Sequence, residues 1–64
     1  MVELKEKLNE EKSELELKFT NLGKALSTIG FFEKVGHEQF ALLNKQYVGM
    51  KVYLEALIER IKLL

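Results

Sequence analysis

The sequence predicts an all-α fold: an antiparallel two-helix hairpin with a short helical connection, assembling into a homo-oligomeric helical bundle. Apolar residues recur every three or four positions along most of the 64-residue chain, which is the period of one helix face. Gly30 and Gly36 interrupt this period near the middle of the chain, where a connection would lie. The chain has no cysteine and is too short to bury a large core, so ideal helix packing or oligomerisation is the expected source of stability.

The first helix is predicted over about residues 2–29. Its charged stretch KEKLNEEKSELE favours a solvent-exposed helix, because opposite charges face each other across neighbouring turns. From Phe19 to Ile29 the apolar residues are separated by three, four and three positions, so this half has a continuous apolar face. Gly23 costs about 1 kcal/mol relative to alanine and is either tolerated or allows another backbone to approach closely. Gly30 is expected to end the helix as its C-cap.

The connection, residues 30–36, is predicted to contain a short turn of helix. Phe31, Phe32 and Val35 make this segment too apolar for a free loop. We therefore expect it to cover one end of the hairpin core. Gly36 is expected to break the turn, since glycine interrupts helices.

The second helix is predicted over about residues 37–63, within a single domain that spans residues 1–64. Glu38 lies in its first turn, where the helix dipole favours a carboxylate. The apolar residues of this helix are separated by alternating steps of three and four, a heptad pattern that is expected to face the first helix. We call this row the core seam: Phe40, Leu43, Tyr47, Met50, Leu54, Leu57, Ile61 and Leu64.

A second row of residues has the same spacing one position earlier in the chain, rotated by about 100° around the helix. A hairpin helix needs one apolar stripe, so a second stripe indicates a second partner, which we expect to be further copies of the chain. Gly49 and Ala56 would allow close approach there. Val48 and Val52 are expected to extend the apolar arc on the other side of the core seam. We call this row the second seam: Gln39, Leu42, Gln46, Gly49, Tyr53, Ala56, Arg60 and Leu63.

Arg60 and Tyr53 are the two second-seam residues whose side chains are candidates for ligand contacts. Arg60 is the only arginine of the chain, and its planar, always charged fork suits a phosphate. An oligomer would repeat it around the symmetry axis and so create local positive charge in a chain of zero net charge. The alternative for Arg60 is a surface ion pair with Glu55 or Glu59. Tyr53 could stack on a nucleotide base or pack in the interface.

Composition and spacing also exclude several classes of function. Zero net charge disfavours a general nucleic-acid or anionic-membrane binder, and no apolar run is long enough for a membrane span. One histidine, His37, and no cysteine leave too few ligands for a metal site. No serine or threonine has a base positioned by the sequence pattern, so nucleophilic catalysis has no support. We therefore expect no enzyme activity, no catalytic residues, no metal and no cofactor, in a soluble intracellular protein.

The second half of the chain resembles a family of small phage proteins. The shared pattern is L-L-x-x-Q-x-x-x-M-x-x-Y-x-x-x-L-x-x-R-I, which runs from Leu42 to Ile61. Three of its positions, Gln46, Tyr53 and Arg60, are not required by a bare coiled coil and are the informative ones. Further residues that look like the family's core precede the pattern: Lys18, Phe19, Leu22, Phe32 and Val35. The pattern is similar to that of phage nucleotide sponges, which act against the CBASS and Thoeris defence systems.

The resemblance implies a non-enzymatic anti-defence sponge that acts in the cytoplasm of the infected bacterial host. Such proteins assemble hairpins into oligomers and sequester a cyclic nucleotide signal in pockets between subunits. The implied partners are other copies of the chain and a cyclic di- or trinucleotide or a cyclic ADP-ribose-type signal, without polymeric nucleic acid or membrane. Lys24 and Lys51 are expected to help neutralise the phosphate. The implied ligand-binding residues are Gln46, Gly49, Tyr53, Ala56, Arg60, Lys24 and Lys51.

The alternative is a helical-hairpin module that binds and blocks a host protein or serves as a structural phage component. It explains the second seam equally well, since partner helices also favour small residues and an arginine. It does not explain why the single arginine, Arg60, coincides with the arginine of the family pattern.

Overall fold

The computed structural model describes residues 2–64 and is built from helices. The helices are α1, Val2–Leu26; α2, Phe31–Val35; and α3, His37–Lys62. No strand occurs within residues 2–64, and the prediction of an all-α fold is confirmed.

The two long helices lie side by side, with α2 in contact with both. A helix of 25 or 26 residues is about 38 Å long. The described residues extend over 47 × 15 × 12 Å, so the two long helices overlap along much of their length. The smallest of these dimensions is the diameter of one helix. Each long helix is therefore covered on one side, and its remaining surface is available to solvent or partners.

A stacked aromatic pair joins the middles of α1 and α3. The ring centroids of Phe19 and Tyr47 are 4.3 Å apart, with an angle of 6° between the ring planes. Gly23, one turn after Phe19, makes room for this stack. A Cβ atom on Gly23 would lie 3.0 Å from the Tyr47 hydroxyl oxygen and 3.1 Å from Cε1. This interior glycine is thus used for close packing, although the group that approaches it is a tyrosine ring instead of a backbone.

Two leucines are the only residues classed as buried within residues 2–64. Leu8 of α1 is 5% exposed, and Leu57 of α3 is 0% exposed. Leu57 belongs to the core seam. Its burial shows that this row packs in the interior of the molecule, as its heptad spacing predicts.

We expect Leu57→Ala to lower the free energy of unfolding by about 2–5 kcal/mol, because it removes buried methyl groups and leaves a cavity. Leu17→Ala is the matched control, since Leu17 is 63% exposed on α1. We expect it to change stability by less than about 0.5 kcal/mol. Urea unfolding followed by circular dichroism at one fixed protein concentration measures both. Equal effects of the two substitutions would contradict the burial of Leu57.

The segment after α1 differs from the predicted boundary. The apolar spacing predicts a helix to about residue 29, but α1 ends at Leu26. The Thr28 hydroxyl donates a hydrogen bond to the Lys24 carbonyl oxygen at 2.7 Å, which satisfies one of the carbonyls left open at a helix end. Ile29, the last member of the apolar stripe, is 100% exposed. The Thr28 backbone N–H donates to the Ala25 carbonyl oxygen, three residues back instead of four, so the α-helical pattern ends before the apolar pattern stops.

Two glycines with positive φ flank α2. Gly30 has φ 92° and Gly36 has φ 90°, a backbone region that favours glycine. Gly30 is the N-cap of α2, so the prediction that it is the C-cap of the first helix is wrong. Phe32 packs edge-on against Phe40 with ring centroids 5.1 Å apart, which brings α2 against the start of α3.

Candidate functional site

The second seam is open along its entire length. All of its residues, from Gln39 to Leu63, are exposed. In the core seam, by contrast, every residue before Leu64 is buried or half-buried. Packing with α1 therefore covers the core seam and leaves the adjacent second seam free.

The candidate ligand-binding residues of the second seam form a strip. Tyr53 lies at its middle and is 49% exposed. Arg60 is about 10 Å from Tyr53 along the helix axis, and Gln46 lies at the same distance on the other side. A Cβ atom on Gly49 would have no neighbour within 4 Å, so the backbone here faces open space. No pocket occurs within residues 2–64, and the strip is an open surface.

The Arg60 guanidinium has no carboxylate partner within the described chain. The one ion pair in residues 2–64 joins Lys12 Nζ to Glu16 Oε1 at 3.8 Å on α1. Arg60 therefore forms no surface ion pair with Glu55 or Glu59 within residues 2–64. Arg60 is exposed and retains its hydrogen-bond donors for an external group.

The two candidate lysines lie away from the second seam. Lys51 is two residues before Tyr53, which places it about 200° around α3 from that tyrosine. Lys24 lies in the last turn of α1, seven residues after Leu17, and shares the outer face of that helix with it. Both lysines are exposed. A single chain does not bring either of them beside Arg60.

Val52 lies on the exposed face of α3 next to the second seam. The prediction that it extends the apolar arc on the other side of the core seam is wrong. It lies three residues after Gly49 and four before Ala56, so it borders the second seam instead of the other side of the core seam. Val48 lies one turn earlier, farther from the seam. Val52 and Val48 are 62% and 59% exposed. Leu42, at 59%, is a further exposed apolar residue on this side of α3.

The one histidine contributes to packing near the connection. His37 meets Phe32 edge-on, with ring centroids 5.9 Å apart. No group of three or more potential metal-binding side chains occurs in the described part of the chain. None of the three helices is long and apolar enough to cross a membrane.

The chain matches the family model described as Sequestin over residues 3–63. No significant match was found among curated proteins or among solved structures. The family match confirms the resemblance to the nucleotide sponges at the level of the family. It extends from the charged start of α1 through both seams of α3, and the chain belongs to the Sequestin family.

Proposed function

We propose that the chain is a non-enzymatic sponge that sequesters a cyclic nucleotide signal in pockets between copies of itself, with the two-helix hairpin as the subunit. Membership of the Sequestin family indicates a sequestering role. The observation that carries the finer proposal is the open second seam. It combines an unpaired arginine, an exposed aromatic ring and small residues on one face of one helix.

Each part of the seam suits a part of a nucleotide. The face of the Tyr53 ring offers a stacking surface for a base, a contact worth about 1–3 kcal/mol in proteins that bind single-stranded nucleic acid. The small residues Gly49 and Ala56 allow a flat ring or a second copy of the helix to approach closely. The Arg60 fork donates two parallel hydrogen bonds to a phosphate, and Gln46 offers an amide to a base edge or ribose.

A second copy is needed to turn the strip into a pocket. Ligand sites usually enclose about 70–90% or more of a drug-sized molecule. The described chain has no such concavity, and its open strip is convex along α3. Packing another copy on the seam would exclude water around Arg60. The arginine–phosphate contact would then be stronger than on an exposed surface.

Sequestration requires affinity and no bond-making step. The polar groups of the strip, the arginine, amide and phenol, bind and position a nucleotide without a nucleophile and its base. The protein would therefore act by stoichiometric trapping. Because the signal is made inside the infected bacterium, we place the protein in the host cytoplasm.

The second candidate is a protein-interaction module. The exposed leucines Leu42 and Leu63, with Val52 beside the seam, favour it, because aliphatic side chains in a row also suit a partner helix. This candidate predicts no response to any nucleotide.

A thermal-shift panel separates the two functions. The compounds are cyclic dinucleotides, cyclic trinucleotides and cyclic ADP-ribose isomers, with ADP-ribose as the acyclic control. A sponge should be stabilised by one cyclic compound, by about 2.7 kcal/mol at a concentration of about 100 times Kd. We expect the melting temperature to rise with ligand concentration and ADP-ribose to have less effect. A panel in which no compound raises the melting temperature would contradict the proposed sponge and favour the interaction module.

A further inference from the structure

From Leu42 to Leu63 the second seam has nearly the same pattern in both directions. Its central residue is Tyr53. Residues on either side of it, at distances that are equal or differ by one position, are chemically alike, and their numbers add to 105 or 106. The matched pairs are leucine with leucine, polar with polar and small with small: Leu42 with Leu63, Gln46 with Arg60, and Gly49 with Ala56.

We propose that two copies of the chain pair through the second seam, with their α3 helices antiparallel about a two-fold axis near residues 52 and 53. A two-fold interface uses the same surface on both copies, so that surface must be complementary to itself. The symmetric pattern meets this requirement. It sets each small residue opposite a small residue, where the helices can approach closely, and each end leucine opposite a leucine. This pairing builds on the self-association contained in the proposed function and specifies its geometry.

The charges beside the seam fit the same pairing. Lys45, Val52 and Glu59 are spaced by seven and lie along the edge of the seam away from the core seam. In an antiparallel pair about a two-fold axis, the same edge of both helices lies on the same side of the contact. Lys45 of each copy therefore lies opposite Glu59 of the other, and Val52 lies opposite Val52. All three residues are exposed, and neither Lys45 nor Glu59 has an ion pair within residues 2–64.

A parallel pairing of the same face would bring like charges together. Each residue would then lie level with its own copy, so Arg60 would face Arg60 across the seam. Like charges placed opposite each other at an interface oppose association. Lys45 and Glu59 would be separated by 14 residues along the axis, about 21 Å, and could not pair. The charge pattern thus selects the antiparallel arrangement.

The pairing also divides the ligand-binding residues between the copies. Arg60 of one copy lies beside Gln46 of the other at each end of the contact, and this consequence rests on the proposed function. The two Arg60 residues would be about 22 Å apart along the helix axis. Each pair of chains would therefore carry two equivalent half-sites, each incomplete in one chain, instead of one cluster of arginines.

Single cysteines test the pairing directly, because the natural chain has none. Val52→Cys places a thiol at the two-fold axis, where the two Cβ atoms can approach to disulfide distance. Val48→Cys is the control, an equally exposed valine one turn away. Under mild oxidation we expect at least about tenfold more disulfide-linked dimer from Val52→Cys, measured by mass spectrometry and non-reducing gel. Equal yields from the two variants, or no dimer from Val52→Cys, would overturn the pairing.

Exchanging the charges at positions 45 and 59 tests the register of the pairing without a disulfide bond. Lys45→Glu or Glu59→Lys alone should weaken self-association about tenfold, since each creates two like-charge contacts. A mixture of the two variants should associate as well as the natural chain, because each introduced charge then faces an opposite charge on the other variant. A mixture that stays dissociated would overturn the register. Neither test contains nucleotide, so failure of the pairing is distinguishable from failure of the sponge function, which the thermal-shift panel decides.

Discussion

Ala56→Leu is expected to abolish self-association at micromolar protein concentration, whereas Ala41→Leu leaves it unchanged. Both alanines are exposed on α3, but only Ala56 belongs to the second seam. A larger side chain in a close contact typically costs about 1–3 kcal/mol, and the cost recurs in every copy. Leucine and alanine are both good helix formers, so the helices should remain intact.

Sedimentation velocity measures this effect, with circular dichroism to verify helix content. The natural chain and the Ala41→Leu variant should sediment as oligomers, and the Ala56→Leu variant as a smaller species. An unchanged oligomer in the Ala56→Leu variant would remove the second seam from the interface. A natural chain that is a stable folded monomer at the same concentration would contradict self-association altogether.

Arg60→Ala is expected to weaken nucleotide binding by about 1.5–3 kcal/mol, which is roughly a tenfold to 150-fold loss of affinity. The physical reason is loss of a charge-assisted pair of hydrogen bonds to phosphate in a site from which water is excluded. Arg60→Lys keeps the charge but loses the planar fork, so it should have a smaller effect. Lys62→Ala is the control, an exposed cation at the end of the same helix but outside the seam.

Calorimetry with the nucleotide that stabilises the protein, alongside sedimentation, separates loss of ligand from loss of assembly. We expect the Arg60 variants to assemble and to bind weakly. If the Arg60→Ala oligomer is intact and binds with unchanged affinity, the arginine is not part of the site. If it loses affinity only because it no longer assembles, Arg60 stabilises the interface instead of the ligand.

The helical class and the two seams of α3 could be predicted from spacing alone. Steps of three and four residues place each seam on one face, and the structure buries one row and exposes the other. The role of Gly23 could not be predicted, because it depends on which residue of α3 lies opposite. That residue is Tyr47, and the relative position of two helices is set by how their side chains fit together.

The end of α1 was mispredicted for a local reason. The apolar stripe continues to Ile29, and Gly30 follows it as a helix-ending glycine would. The α-helical backbone bonding is lost at Thr28, whose N–H donates to the carbonyl of Ala25 three residues back, and Gly30 caps α2 instead. Such a local change in backbone hydrogen bonding leaves little trace in the spacing of apolar residues.

The candidate site was predictable for the residues that share one face. The positions of Gln46, Tyr53 and Arg60 follow from the helical period. The prediction of Lys24 and Lys51 rests on their charge, and helix geometry places Lys51 on the far side of α3 from Tyr53 despite its nearness in sequence. The predicted side of Val52 is wrong, although its spacing from Gly49 and Ala56 is sufficient to place it beside the second seam.

The central claim, that the protein traps an intact signal, is tested most directly by depletion and recovery of the nucleotide. The protein is mixed in excess with the stabilising cyclic nucleotide and passed through a filter that retains it. The filtrate is analysed by liquid chromatography and mass spectrometry, and the retained protein is then heat-denatured and its released nucleotide analysed. We predict a filtrate depleted in proportion to the protein added and full recovery of chemically unchanged nucleotide. An undepleted filtrate, or recovery of a cleaved or modified product, would contradict sequestration.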